Sequence, residues 1–258
     1  MTSILIAAII ALTNECGRIE VNTFGANVLS YVPAGGEEVL FRQPKPQVVG
    51  TRYDGGIPVC WPWFGWDGDP GSMQHGFVRE REWKVLERTE TAEASRLLLG
   101  LEAQGEYRLE YEIVLGRRLS LDLRMRNMGK ERIPITTGLH PYFSISHPTN
   151  VVVKMPDKDI RCGGAMDGGL EYGEGTYVVT DEGKRRQMRL DFHGNNRVVI
   201  WNCGPDEQMD GMYPEDWKRY ICVEPVVFPR AFGFYLAPNE SRAIGMEIGV
   251  SGMGNGRR

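Results

Sequence analysis

Residues 96–127 read RLLLGLEAQGEYRLEYEIVLGRRLSLDLRMRN, and their pattern decides the fold class. Short turn-like breaks divide them into three segments of similar length: Arg96 to Ala103, Tyr107 to Leu115 and Arg118 to Asn127. In the last of these, Leu119, Leu121, Leu123 and Met125 point one way, while Ser120, Asp122 and Arg124 point the other. A period of two with apolar residues on one side only is the signature of an antiparallel sheet that buries one face.

The same period recurs outward from this block. Upstream, Arg18 to Thr23 and Asn27 to Val32 alternate around Phe24-Gly25-Ala26 and suggest a meander. Pro33-Ala34-Gly35-Gly36 reads as a turn, followed by a short strand from Glu38 to Arg42. The apolar run Ile4 to Leu12 is far too short to span a bilayer and has no basic region before it, so it is read as a buried first strand rather than a signal peptide. Downstream, Ile133 to Leu139, Val151 to Lys154, Met188 to Phe192, Arg197 to Asn202, Tyr220 to Glu224, Phe232 to Ala237 and Ala243 to Val250 bring the total to roughly fifteen strand candidates. The glycine-rich Cys162 to Gly175 is expected to be a long loop. Only Glu87 to Ser95 and Pro214 to Trp217 suggest helix, both brief. The expectation is an all-β chain in which two large, mainly antiparallel sheets pack face to face.

Composition narrows the function classes. The 258 residues are 41% hydrophobic and 25% charged, ordinary for a globular protein and enough to bury a sizeable core. A net charge of −4 with dispersed Lys and Arg gives no basic footprint for nucleic acid. The five cysteines, Cys16, Cys60, Cys162, Cys203 and Cys222, are odd in number, scattered, and without a C-x-x-C pair. That pattern fits neither a disulfide framework nor a zinc site, and it suits a reducing cytosol. No glycine cluster has the setting of a phosphate- or dinucleotide-binding loop.

One stretch does not fit the alternating pattern. DGGIPVCWPWFGWDGDPGSMQHGFVREREW, residues 54–83, holds Trp61, Trp63, Trp66 and Trp83, four of the six tryptophans. Its prolines and glycines forbid a long helix or strand, so it is read as an ordered loop. Aromatics in such a loop suggest a pocket wall with His75 and Arg79 at its edge; the alternative is a hydrophobic plug at the end of a sandwich.

Three short segments could carry chemistry: Gln74 to Arg79, Leu139 to Phe143, and Cys222 to Pro225. His140 and Glu224 each precede a proline, which biases the backbone to extended forms and helps fix side-chain direction. Glu224 also follows the apolar Ile221-Cys222-Val223, and a carboxylate beside a core segment needs partners or a cavity. A histidine and a carboxylate together could serve as acid and base on a small polar substrate. Taken singly, His140 could equally be a hydrogen-bonded core residue and Glu224 a strand-end charge. No serine or cysteine sits in a nucleophile signature, and His140 and His147 lack a metal-binding spacing.

In these segments the chain resembles the aldose 1-epimerase (mutarotase) superfamily, and within it the hexose-6-phosphate mutarotase branch. The matching pieces are GGIPVCWPWFG (55–65), QHGFVRE (74–80), LHPYF (139–143) and PEDWKRYICVEP (214–225), with weaker matches at 25–41 and at Val199-Ile200-Trp201-Asn202. They follow the family's order and spread over most of the chain. The resemblance implies a single-domain β-supersandwich of galactose mutarotase type over residues 1–258. It also implies a sugar or sugar phosphate as the small-molecule partner and no metal or organic cofactor. With the charge, the cysteine pattern and the short apolar run above, the expectation is a cytoplasmic monomer that engages neither nucleic acid nor membrane. By the family's pattern His140 is the acid that protonates the ring oxygen and Glu224 the base at the anomeric hydroxyl. His75, Gln74, Trp201 and Asp210 are the expected sugar contacts, and Arg79 the phosphate contact.

Two departures stand out. The family has a basic residue before G-G-I-P where this chain has Asp54, so Arg52 is expected to reach in as the second phosphate contact while Asp54 faces away or holds it. Near Met209, Asp210 and Gly211 stand in exchanged order. The main alternative to an enzyme is a sugar-binding or sensing module of the same fold without turnover. A structural β-sandwich that binds another protein through its aromatic loop is a weaker third.

Overall fold

The computed structural model describes residues 8–45, 54–66, 71–170, 172–207, 209–228 and 234–253. Its largest sheet has nine strands and is built around residues 95–127. Ser95–Ala103, Tyr107–Leu115 and Leu119–Asn127 are consecutive antiparallel neighbours. Lys84–Glu90 closes one edge, and beyond Leu119–Asn127 follow Ser241–Gly252, Arg186–His193, Gly175–Asp181, Val151–Lys154 and Asp159–Arg161. A second sheet runs Met166–Leu170, Arg197–Asn202, Tyr220–Val227, Thr137–Leu139 and Val59–Cys60, with Tyr142–Ser144 on the other half of Tyr220–Val227. A three-stranded meander, Ile9–Asn14, Gly17–Asn22 and Asn27–Pro33, and the small pair Ile133–Ile135 with Phe234–Leu236 complete the β structure. All these strand pairs are antiparallel, and the helical elements among the described residues are three short 3-10 turns. None of the described helices is long and apolar enough to cross a membrane.

One apolar cluster joins the layers. Leu121, Leu123, Tyr111 and Ile113 from the large sheet, Val198, Ile200, Ile221 and Val223 from the second, and Ile19 and Val21 from the meander all belong to it. Alternation therefore assigns the odd-numbered Ile221 and Val223 to the core. The even-numbered Tyr220, Cys222 and Glu224 fall to the opposite face.

Several sequence expectations are corrected. Glu87 to Ser95 is not helical: Lys84–Glu90 is an edge strand that turns over Thr91 to Ala94 into Ser95–Ala103. Every side chain of that edge strand is exposed, so no apolar stripe reveals it. The loop expected over Cys162 to Gly175 contains the strand Met166–Leu170, which needs only its backbone to pair with Arg197–Asn202. The strand expected over Glu38 to Arg42 is reduced to isolated bridges, Leu40 with Phe143 and Arg42 with Gly55. The helix expected at Pro214 to Trp217 is a 3-10 turn over Asp216–Arg219. The first described strand, Ile9–Asn14, buries only Leu12 fully and exposes Ile9, so it is an edge strand rather than a buried one; residues 4–7 lie outside the described residues.

Candidate active site

The second sheet positions the two residues that the sequence singled out. Thr137 pairs with Val227 and Gly138 with Val226 on one side, and Tyr142 pairs with Cys222 on the other. Both halves share one register, which sets His140 opposite Glu224. The ladder to Tyr220–Val227 is interrupted there, where Pro141 has no N–H to offer. The His140 N–H instead donates to the Pro58 carbonyl at 3.0 Å. His140 Nε2 lies 3.5 Å from Glu224 Oε2, and both side chains are buried.

The remaining wall follows from the same register. Val199 pairs with Glu224, Trp201 with Cys222, and Asp167 with Trp201, so Asp167, Val199, Trp201, Glu224, His140 and Tyr142 share one face of the sheet. They line a cavity of about 340 Å³, within the usual range for small-molecule sites. Phe64, Gly65, Trp66, Gln74, His75, Arg79 and Asp54 close it from the aromatic loop, and Glu207 and Met209 from a third side. His140 stacks on Tyr142 with ring centroids 4.8 Å apart, and meets His75 and Trp201 edge-on at 5.2 Å and 5.8 Å.

Glu224 is the least ordinary group in this wall. Neither carboxylate oxygen, both buried, accepts a hydrogen bond from any described residue. Burial, reinforced by the nearby charge of Asp167, raises its pKa well above the usual carboxylate range. A buried carboxylate without donors costs stability unless something fills its acceptor sites. The cavity is where a ligand hydroxyl could do so.

The aromatic loop is both plug and wall. Trp61 is buried edge-on against Phe77 and Tyr107, and Trp83 is buried with its indole N–H on the Val78 carbonyl. Trp66 is exposed at the cavity. His75 adopts φ of +64°, held by its own N–H on the Gly65 carbonyl (2.7 Å) and by the Gly65 N–H on its Nδ1 (3.1 Å). An accepting Nδ1 carries no proton, so the ring proton sits on Nε2. Gly76 is fixed by the same crossing: at φ of +76°, a Cβ would stand 1.9 Å from the Trp61 carbonyl oxygen.

Of the expected site residues, His140, Glu224, His75, Arg79, Gln74 and Trp201 are brought to one cavity. Asp210 is exposed and does not line it, although its neighbour Met209 does. Arg52 lies outside the described residues. Asp54 does not face away: it is buried in the wall, with Oδ1 2.8 Å from Arg79 Nη2. Asp167 and Glu207 were not anticipated. The only sequence signal for Asp167 is its place in a glycine-rich segment whose strand character was hidden.

His140, Cys222 and Glu224 offer one ligand atom each within 4.8 Å of one another and could approach a metal ion. Burial raises the Cys222 thiol well above its ordinary pKa, with Glu224 adding to the effect, which opposes the thiolate a metal would need.

Known proteins resemble this chain in sequence and in fold. Two relatives carry the name "Putative glucose-6-phosphate 1-epimerase". The one from Salmonella typhimurium is 28% identical over 230 residues, covering 78% of this chain and 77% of the relative. The one from Escherichia coli is 30% identical over 228 residues, covering 78% and 76%. A crystal structure described as a "putative mutarotase" from Salmonella typhimurium superposes with a TM-score of 0.87 at 23% identity, over 95% of this chain and 91% of that one. A galactose mutarotase-like protein from Clostridium acetobutylicum gives 0.74 at 17% identity, over 95% of each chain. These two show the galactose mutarotase fold. The family model for aldose 1-epimerase matches residues 8–174. With that match over more than half its length, the chain belongs to the aldose 1-epimerase family.

Proposed function

We propose that this protein is a mutarotase that interconverts the α and β anomers of an aldose, with a hexose 6-phosphate as its substrate class. The observation that carries the reading is Glu224: buried at the cavity wall, given no hydrogen bond by any described residue, and 3.5 Å from His140 Nε2. The ring oxygen and the anomeric oxygen of an aldose are bonded to the same carbon. Acid and base must therefore stand side by side, as His140 and Glu224 do.

In the proposed reaction, protonated His140 gives its proton to the ring oxygen while ionised Glu224 takes the proton of the anomeric hydroxyl. The ring C–O bond breaks and C1 becomes an aldehyde. Rotation about C1–C2 presents the other carbonyl face. The ring hydroxyl then attacks C1, its proton returns to His140, Glu224 returns its proton to the carbonyl oxygen, and the opposite anomer results. The raised pKa of Glu224 makes it a stronger base than a solvated carboxylate, as general base catalysis near neutrality requires. His75, with its proton on Nε2, is the donor we assign to a sugar oxygen, and Trp201 and Trp66 give apolar faces for ring C–H groups. Asp167 and Gln74 are assigned to sugar hydroxyls. The names of the relatives and the presence of Arg79 in the cavity wall support a phosphorylated substrate. We read the chain as one folding unit working as a cytosolic monomer, in keeping with its free cysteines.

The test is anomeric exchange by NMR with glucose, galactose and their 6-phosphates against an enzyme-free control, since mutarotation also proceeds unaided. Acceleration that Glu224→Gln abolishes supports the reading. Sugar binding, followed by tryptophan fluorescence, without acceleration would instead identify a sugar-sensing module.

A further inference from the structure

The ion pair between Arg79 and Asp54 is buried on both sides, with side-chain exposures of 7% and 5%, yet both residues line the cavity. It stands close to the acid. The chain carrying Asp54 is stitched to the strand after His140, since Tyr142 N–H donates to the Gly56 carbonyl at 2.8 Å and Gly56 N–H to the Phe41 carbonyl at 2.8 Å. Tyr142, which stacks on His140, lies within reach of both partners: burial and then Cys222 raise its pKa most, Asp54 adds to the rise and Arg79 opposes it.

Among the described residues lining the cavity, Arg79 is the one Arg or Lys, against Asp54, Asp167, Glu207 and Glu224. A guanidinium meant only to grip a phosphate would keep its planar fork for phosphate oxygens. Here one Nη is committed to a carboxylate, and that carboxylate sits in the same low-dielectric wall as the place where a phosphate would bind. It therefore repels an arriving dianion while Arg79 attracts it. A neutral hexose feels neither force strongly.

Resting on the mutarotase reading, we propose that Asp54 is a specificity-determining residue: by compensating the charge of Arg79, it sets how strongly the site favours a phosphorylated over an unphosphorylated aldose. The compensated site accepts both, and removing the compensation makes it an anion site.

The measurement is the ratio of kcat/KM for glucose 6-phosphate to that for glucose, by NMR exchange, which cancels any common loss. Asp54→Asn keeps the volume and one acceptor oxygen, and should raise this ratio by about tenfold or more. Arg79→Gln removes the positive member of the pair and should lower it by about tenfold or more. An unchanged ratio in either variant overturns the proposal, because a merely structural pair would slow both sugars alike. So does a fall of the ratio in Asp54→Asn, which would make Asp54 a support that orients Arg79 for phosphate. If Asp54→Asn does not fold, Asp54→Ser, which also removes the charge, takes its place with the same expected rise, since Arg79→Gln alone would lower the ratio for a plain phosphate contact as well. If the unaltered protein accelerates neither sugar, the mutarotase reading fails separately. Charge compensation by Asp54 is then tested with inorganic phosphate followed through tryptophan fluorescence, with tighter binding by Asp54→Asn expected and equal or weaker binding overturning it.

Discussion

Among the buried carboxylates of the described residues, Asp181 and Glu224 are held in opposite ways. Asp181, fully buried at the end of the strand Gly175–Asp181, accepts four hydrogen bonds: from the Ser146 N–H at 2.7 Å, the Ser146 hydroxyl at 2.5 Å, the Gly183 N–H at 3.0 Å and the Lys184 N–H at 3.1 Å. Glu224 is equally buried and accepts none from the described residues. Burial alone does not separate a structural acid from a catalytic one. What separates them is where donors are found: Asp181 has its donors within the fold, whereas Glu224, the base we propose, faces the cavity without a donor among the described residues.

The same isosteric change, carboxylate to amide, should therefore produce opposite phenotypes at the two sites. The largest effect is expected from Glu224→Gln, which should lower anomer exchange by about 10²–10⁴-fold while the protein stays folded. His140→Asn should cost a similar factor, and the double variant should lose far less than the product of the two, because the two proton transfers belong to one concerted step. Exchange near normal in Glu224→Gln would remove Glu224 as the base.

Next in size is Asp181→Asn. The new amide turns its N–H groups toward donors and should destabilise the fold by about 2–3 kcal/mol, read by denaturant titration, with exchange retained in the folded fraction. A loss of exchange without a loss of stability would make Asp181 something other than a structural acid.

The smallest effect is a pH dependence of stability. The folded pKa of Glu224 is raised, so its contribution to stability is fully present below the ordinary carboxylate pKa and is lost as pH rises through the folded value. Glu224→Gln does not titrate there. Its stability relative to the unaltered protein should be lowest in acid and should rise with pH until the folded pKa is passed. A pH-independent difference would mean that Glu224 finds compensation within the fold after all.

The sequence exposed the sheets because each strand from Ser95 to Asn127 has one buried and one solvated face, so the pleat is written into every second residue. Lys84–Glu90, exposed throughout, carried no such signal. His140 and Glu224 were visible through their following prolines and the apolar run before Glu224. Their opposition was not, because it depends on a register shared by two separate pairings with Tyr220–Val227. The partnership of Asp54 with Arg79 joins positions 25 apart across a folded loop, and no local pattern announces it. Asp167 was hidden for a different reason: glycines that look like loop can still lie in a sheet, since the ladder uses only backbone.

The register that sets His140 opposite Glu224 also separates two kinds of inheritance. The distance between His140 and Glu224 is held by hydrogen-bonded strands, Val59–Cys60 among them, whereas Trp66, Gln74, His75 and Arg79 reach the cavity from segments outside those pairings. Substitutions at these four positions can change what the cavity admits without touching the backbone ladder that spaces the proposed proton-transfer pair. A lineage, or a directed library confined to them, is thus free to vary the substrate while that pair stays in place.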